Sequence, residues 1–327
     1  MQVGKVPESV LKRSVLKSIK KNRQEVLLGA AVGEDCTALR IPAGEVLVMS
    51  TDPITGTAKD IGSLAIQITA NDLASSGAEP LGVMLTVLLP DGCEEAVLKD
   101  MMRQMQTHCE ALKMQILGGH TEVTKVVNQP VVSVTGVGKV KEGELVSTAG
   151  VEPGMDILVT KWIGLEGTSI LAKEKEAELL KRFSPAFLDG AKAFDQYLSV
   201  VPEGMIAGKF GVGAMHDVTE GGIFGALWEI AEASGVGLEI ELLKIPLKQE
   251  TIEISEYFGI NPYGLMSSGS MLMAAKDGNG LVLELAKHGI VATIIGKATA
   301  GNDRVLINND ERRFLEPPKT DELYKAL

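Results

Sequence analysis

Four aspartates lie where the sequence predicts the ends or inner faces of secondary-structure elements, and carboxylates in such places could hold a metal ion. Asp52 follows an apolar strand predicted over 46–49, and Asp72 lies four residues after Ile68 on the apolar side of a helix predicted to begin at Asp60. A carboxylate on an apolar helix face is costly unless it is hydrogen-bonded, paired or metal-bound. The alternative is that both acids are caps or structural acids with local hydrogen-bond partners.

The other two aspartates are close to glycines. Asp35 follows Gly33 in a predicted loop, a position that is also typical of an ordinary turn residue. Asp217 opens the stretch DVTEGG, which predicts a loop-to-helix junction whose first amides carry the positive end of the helix dipole. The pairs Gly118-Gly119 and Gly221-Gly222 would let the main chain approach an anion closely. Hard oxygen ligands beside such glycines favour a site that binds a polyphosphate through Mg²⁺.

Familiar nucleotide and hydrolase motifs are absent from the sequence. It contains no G-x-x-x-x-G-K-[ST] loop, no G-x-G-x-x-G that opens a helix after a strand, no G-x-S-x-G and no H-E-x-x-H. The run 136–139, GVGK, falls inside a predicted strand, where glycine indicates tight packing or a bulge rather than phosphate binding. The residues by themselves therefore indicate a magnesium-nucleotide enzyme of no familiar motif class.

Composition limits the partners and the setting of the protein. Lys and Arg number 32 against 43 Asp and Glu, a formal charge of −11, which argues against nucleic acid or an anionic membrane as the main partner. Cys36, Cys93 and Cys109 form no C-x-x-C pair, so we expect neither a disulfide framework nor a zinc site, and a cytoplasmic location. The N-terminal stretch lacks the apolar region of a signal peptide, and no apolar run reaches the length of a membrane span.

Two domains are predicted, with a boundary in the polar stretch 142–153. Residues 1–148 alternate strands with two long helices, which is typical of an α/β domain, and 149–327 are predicted to form an α+β domain. In the first domain a short strand at 113–117 is predicted to lead into a loop at 118–121. In the second domain the pattern predicts helices at 167–180, 185–197, 222–233 and 280–288, strands at 236–242, 270–275 and 291–295, and a hairpin at 304–315.

Six longer motifs occur in an order that is found in a known family. They are GEDCTAL (33–39), STDPITG (50–56), DIGSLAIQITANDLASSGAEP (60–80), GGHTEV (118–123), PGMDILVTKWIGLEGTSILA (153–172) and HDVTEGGIFGAL (216–227). Together they resemble the AIR synthase (PurM) superfamily, and the ANDLASSGAEP and DVTEGG stretches are most similar to its HypE (hydrogenase maturation factor) and thiamine monophosphate kinase branches. The resemblance implies a two-domain PurM-like fold, α+β overall. Its N-terminal α/β domain would bind ATP and dimerise through its sheet in a β-barrel-like interface, and its C-terminal domain would be α+β.

The resemblance also implies shared chemistry, in which ATP binds with Mg²⁺ and an oxygen of the substrate is phosphorylated. It implies metal ligands at Asp35, Asp52, Asp72 and Asp217. It implies nucleotide or phosphate contacts at Asp35, Asn71, Gly118, Gly119, Thr121, Asp217, Gly221 and Gly222, with 118–121 as a phosphate loop. Asp52 and Asp72 would then be catalytic, and His120 is a candidate for assisting proton transfer, although a single loop histidine is also consistent with a structural role.

One departure from the HypE pattern bears on the reaction. Proteins of that branch carry a carbamoyl group on the cysteine of a C-terminal tail, whereas this sequence ends FLEPPKTDELYKAL and its last cysteine is Cys109. We expect a HypE-like enzyme, with a role related to hydrogenase maturation, that acts on a small-molecule or protein-bound substrate. Two alternatives remain open: a small-molecule kinase like thiamine monophosphate kinase, and a non-catalytic, nucleotide-binding dimeric scaffold.

Overall fold

Two large sheets organise the chain, one in each of two units. The computed structural model describes residues 1, 3–32, 34, 36–54 and 60–327, and every structural statement below concerns those residues. The first unit comprises Met1–Leu73 and Ala78–Gly143, and the second comprises Ala74–Gly77 and Glu144–Leu327. Both units mix helices with strands, in agreement with the predicted fold class.

The first unit is built around a five-stranded sheet. Its helices and strands are β1 (Gly4–Lys5), α1 (Glu8–Val10), β2 (Val26–Leu28), β3 (Ala38–Leu39), β4 (Glu45–Ile54), α2 (Ile61–Ser75), β5 (Glu79–Pro90), α3 (Glu95–Ala111), β6 (Gln115–Thr124) and β7 (Val131–Lys141). The strand order is β1-β6-β5-β7-β4, in which β5 and β6 are parallel and β7 is antiparallel to both β5 and β4. The parallel pair is joined by α3, as a βαβ crossover requires.

The alternation of buried and less buried side chains along β5 shows which face of this sheet is covered by a helix. Its odd-numbered apolar residues are at most 4% exposed: Leu81, Val83, Leu85, Val87 and Leu89. Gly136 lies opposite Val83 in the ladder, and a Cβ added there would lie 2.3 Å from Thr69 Cγ2. Helix α2 therefore lies directly on this face, and the interpretation of the GVGK run as close packing is confirmed.

The second unit contains a seven-stranded sheet. Its helices and strands are β8 (Asp156–Thr160), α4 (Leu165–Glu174), α5 (Glu176–Leu179), α6 (Pro185–Lys192), α7 (Val201–Phe210), β9 (Ala214–Val218), α8 (Gly222–Ser234), β10 (Gly237–Glu241), α9 (Gln249–Phe258), β11 (Ser270–Ala275), α10 (Gly278–Lys287), β12 (Ala292–Thr299), β13 (Arg304–Asn308), β14 (Glu311–Phe314) and α11 (Leu323–Ala326). The strand order is β14-β13-β10-β12-β8-β11-β9.

Strand β11 is buried along its whole length because helices cover both faces of the second sheet. Leu272 and Ala274 pack in a core cluster with residues of α8, whereas Met271 and Met273 pack in another cluster that includes Leu281 of α10. Successive strand side chains point to opposite faces, so a continuous apolar run is the expected pattern for a strand covered on both sides.

Several predicted elements are confirmed and others are wrong in extent. The strand 270–275 and the hairpin at 304–315 are confirmed, and α8 begins at Gly222 as predicted. The predicted helix 167–180 is instead α4 followed by the short α5, and α7 and α9 were not predicted. Of the residues that the structure describes, none belongs to a helix long and apolar enough to cross a bilayer.

Candidate functional site

Asp52 lies inside strand β4 and not after its end. The strand runs on to Ile54, so the prediction of a strand that stops before Ser50 is wrong. Proline is tolerated within strands at a sheet edge, and β4 is the edge strand of its sheet, so Pro53 does not end it. Ser50 and Asp52 are half-buried and Ile54 is buried, whereas Thr51 and Pro53 are exposed. Asp52 therefore shares the helix-covered side of the sheet with Ser50.

Asp72 lies on α2 above that same side of the sheet. Its Oδ2 accepts a hydrogen bond from Ser50 Oγ at 2.5 Å, and its side chain is half-buried. Asn71, the residue before it, is only 1% exposed. The structure thus brings Asp52, Asp72 and Asn71 to one region of the first unit. Ser50 was missed in the sequence, although its position two residues before Asp52 on a strand could have placed it there.

The prediction that residues 118–121 form a loop is wrong. Gly118, Gly119, His120 and Thr121 are paired with residues 84–87 of the neighbouring strand, and they lie within β6. The ladder shifts register at Leu117, which forms a bulge. Gly119 has φ 145°, and a Cβ there would lie 1.9 Å from Leu85 O, so this position requires glycine.

Gly118, Gly119, His120 and Thr121 all line a cavity of about 460 Å³ in the first unit. Apolar side chains form part of the wall, namely Val6, Leu11, Val15, Leu16, Ile19, Ile116 and Leu117. Lys5, Glu34 and Thr86 supply polar groups. A Cβ added to Gly118 would meet no atom within 4 Å, so there is open space beside this residue. The volume and the mixed lining are typical of a pocket for a small organic ligand.

His120 is exposed and faces a carboxylate on its own strand. Its Nε2 lies 3.1 Å from Glu122 Oε2, a contact between residues two apart on one face of β6. This interaction orients the imidazole at the cavity wall. The role of His120 in proton transfer stays a prediction.

Asp217, Gly221 and Gly222 lie in the second unit. Asp217 is the penultimate residue of β9 and is 7% exposed, so the prediction that the loop begins at Asp217 is wrong. Residues 219–221 form the junction that leads into α8. The Gly221 amide donates to Asp321 Oδ2 at 2.7 Å. A Cβ on Gly222 would lie 2.6 Å from Tyr263 O, so close approach of the chain near Tyr263 also accounts for this glycine. A phosphate role for this junction stays a prediction.

His216, the residue before Asp217, is paired with an acid of α8. Its Nε2 lies 2.8 Å from Glu229 Oε2. Burial lowers the pKa of His216, but the Glu229 hydrogen bond and the charges of Asp217 and Glu229 outweigh that effect and raise it above its ordinary value. The second unit therefore places an imidazole with a raised pKa next to Asp217.

The described residues include carboxylates that suit a metal ion but no ready-made cluster of metal ligands. No three His, Cys, Asp or Glu side chains among them form a group that could hold a metal ion, and Asp35 lies outside the described residues. The oxygen donors of Asp52 and Asp72 suit Mg²⁺, which is bound by one or two carboxylates together with substrate phosphates rather than by an all-protein cage. The donor set is therefore compatible with Mg²⁺.

These features define a two-unit protein with a pocket beside a glycine-bearing strand and acids above the same sheet, and sequence models identify its class. The model of the AIR synthase related protein N-terminal domain matches residues 33–140, and that of the C-terminal domain matches 152–308. The chain belongs to the AIR synthase related protein family.

Individual relatives narrow the comparison. The chain is 32% identical to a carbamoyl dehydratase HypE of Cupriavidus necator, over 78% of this chain and 73% of that protein. It is 29% identical to a putative hydrogenase expression/formation protein of Methanocaldococcus jannaschii, over 99% of this chain and 97% of that protein. The solved structure of a hydrogenase maturation protein HypE in complex with ATP aligns with a TM-score of 0.81 at 19% identity, covering 99% of this chain and 97% of that one. The predicted PurM-like fold is confirmed.

Proposed function

We propose that this protein is a HypE-like enzyme, dependent on ATP and Mg²⁺, that activates an oxygen of its substrate by phosphorylation. The main structural observation behind this proposal is the cavity in the first unit that Gly118, Gly119, His120 and Thr121 line. It is supported by the similarity to relatives named carbamoyl dehydratase HypE and by the likeness to a HypE structure with ATP. A role related to hydrogenase maturation follows from the same relatives.

The cavity suits a nucleotide in its lining and its volume. Its apolar wall, with Leu11, Val15 and Ile116, would take a base, and Lys5 at the same cavity would attract phosphate. Open space beside Gly118 leaves room for a ligand close to the main chain of β6.

Asp52 and Asp72 would hold Mg²⁺, with Asn71 and Asp35 as further proposed polar contacts. The predicted metal and phosphate role of Asp217, in the second unit, remains a separate proposal. When bound, the ion would supply positive charge that stabilises the phosphate groups during phosphoryl transfer. The protein would position the two carboxylates. Ser50 donates a hydrogen bond to one oxygen of Asp72, and β4 holds Asp52 on the same side of the sheet. Such positioning is the main protein contribution in phosphoryl transfer.

The assembly and setting are also part of the proposal. Residues 1–148 would form the nucleotide-binding and dimerisation domain, and 149–327 the C-terminal domain. A homodimer is proposed through the face of the first sheet that is opposite α2. Leu47 and Met49 of β4 lie on this face and are 46% and 59% exposed, which supports the proposal. A cytoplasmic location is supported by the three cysteines, all free in the structure.

The test is ATP turnover by the purified full chain, measured with and without Mg²⁺ and with carbamoylated peptides as candidate acceptors. We expect turnover that requires Mg²⁺ and rises with the correct acceptor. Addition of thiamine monophosphate separates the alternative kinase function, which predicts a diphosphate product. Failure to bind ATP at millimolar concentration in the presence of Mg²⁺ would contradict the proposal.

A further inference from the structure

We propose that Ser50 is a positioning residue that holds the Asp72 carboxylate in its binding orientation beside Asp52. The inference rests on the proposed function, because it assigns a role to Ser50 only where Asp72 binds a metal–nucleotide complex. Ser50 would not itself touch the ligand. It would act through the hydrogen bond from its Oγ to Asp72 Oδ2.

The packing of α2 on the sheet explains why a side chain as short as serine reaches Asp72. Ser50 lies opposite Gly136 in the β4–β7 ladder. A Cβ on Gly136 would lie 2.3 Å from Thr69 Cγ2, so the missing side chain lets α2 approach the sheet closely there. Thr69 and Asp72 are three residues apart and therefore share one side of the helix. The close approach at Thr69 thus brings Asp72 down to Ser50.

The hydrogen bond fixes the carboxylate in a defined rotamer. Ser50 Oγ donates to Asp72 Oδ2 at 2.5 Å, and a hydroxyl that donates to one carboxylate oxygen favours one orientation of the carboxylate. Asp72 is half-buried, so the hydrogen bond from Ser50 contributes to the orientation of a side chain that a ligand could still reach. Residues that orient a metal ligand in this way change metal affinity by about 10- to 100-fold when they are removed.

The strand geometry links Ser50 to Asp52 as well. Residues two apart on a strand point to the same face, so Ser50 and Asp52 lie side by side beneath α2. An Asp72 carboxylate that is held by Ser50 is therefore held next to Asp52. A purely structural role for the Ser50 hydrogen bond would instead change the stability of the protein and leave its metal affinity unchanged.

The experiment compares Ser50→Ala, Ser50→Thr and a matched control in the full chain. Ser133→Ala removes a serine hydroxyl from β7 at a position whose neighbours Val132 and Val134 are buried on the helix-covered face, so Ser133 lies on the opposite face. The probe is Mn²⁺ with a nonhydrolysable ATP analogue, and bound Mn²⁺ is measured by electron paramagnetic resonance. The melting temperature and the ATP turnover of each variant are measured in parallel.

We expect Ser50→Ala to weaken Mn²⁺ binding about 10-fold or more. Ser50→Thr keeps a hydroxyl and should restore most of the affinity, and Ser133→Ala should bind Mn²⁺ as the wild type does. Wild-type affinity in Ser50→Ala, or an equal loss in Ser50→Ala and Ser50→Thr, would overturn the role of Ser50 while leaving the proposed function in place. Absence of both Mn²⁺–nucleotide binding and ATP turnover in the wild type would overturn the proposed function, and this inference with it.

Discussion

Single carboxylates in this protein differ sharply in their surroundings, and the difference separates ligand candidates from structural acids. Asp52 and Asp72 are half-buried on the same side of one sheet, where a carboxylate can still meet a ligand. Glu166 of α4 is only 3% exposed and lies in the core of the second unit. Burial alone is therefore a poor guide to function, because Glu166 is more buried than Asp52 and Asp72 and is not among the residues that the family resemblance assigns to the site.

The two ligand candidates lead to a prediction about activity. Asp52→Asn and Asp72→Asn should each lower Mg²⁺-dependent ATP turnover about 100-fold or more, because each removes a charge that faces the metal–phosphate complex. Asp100→Asn is the matched control, since Asp100 is an exposed acid on α3 that pairs with Arg103. Turnover measured by phosphate release at saturating ATP checks the prediction. Equal rates in all three variants would remove both aspartates from the site.

Glu166 leads to a prediction about stability. Burial raises the pKa of this carboxyl to about 7, a nearby Ser268 opposes the shift, and Asp321 and Asp195 add to it. A carboxyl whose folded pKa lies above its unfolded value stabilises the protein fully below pH 4.5 and loses that contribution as the pH rises to about 7.

For Glu166 we therefore expect the free energy of unfolding to fall between pH 5 and pH 8, with a contribution from this group on the order of 3 kcal/mol. Glu166→Gln should remove most of that pH dependence, because a neutral amide pays no cost of ionisation in the core. Chemical denaturation at several pH values measures it. An unchanged pH profile in the variant would show that Glu166 is not the group responsible.

Strand β6 provides a matched pair of glycines that separates stability from binding. A Cβ at Gly119 would collide with Leu85 O, and φ is 145°, so Gly119→Ala should destabilise the first unit by about 2–4 kcal/mol. A Cβ at Gly118 would meet open space, so Gly118→Ala should leave stability nearly unchanged while it weakens ATP binding by narrowing the cavity. Thermal unfolding and nucleotide titration of both variants test this. Equal effects of the two substitutions would contradict it.

The elements also show how far the sequence could predict the site. Helical and strand periodicity identified α8 and β11 because each has a clear apolar pattern. It failed at residues 118–121, where two adjacent glycines indicated a loop, although Gly119 is needed for close approach to β5 within the sheet. It failed again at Pro53, because an edge strand tolerates proline and the sequence does not reveal which strand lies at an edge.

At the scale of the whole molecule, ordered motifs carried information that local patterns did not. The motif order implied the AIR synthase related family and its fold, and the family models confirmed it over residues 33–140 and 152–308. The hydrogen bond between Ser50 and Asp72 joins residues 22 positions apart. It depends on the close packing of α2 at Gly136, which no local pattern predicts. The motifs were enough to predict the fold. The contact that orients Asp72 depends on packing between distant parts of the chain, which the motifs do not reveal.

The proposed homodimer gives the last prediction. Met49 is 59% exposed on β4, with Leu47 on the same face two residues before it, and apolar side chains in such a row are costly to leave in water. Met49→Glu should therefore shift the protein from dimer to monomer, because a buried, unpaired carboxylate at the interface would be strongly unfavourable. Leu283→Glu is the control, since Leu283 is 66% exposed on α10 of the second unit. Light scattering after size-exclusion chromatography gives the mass of each variant. A wild-type monomer, or a Met49→Glu dimer as stable as the wild type, would exclude this face as the interface.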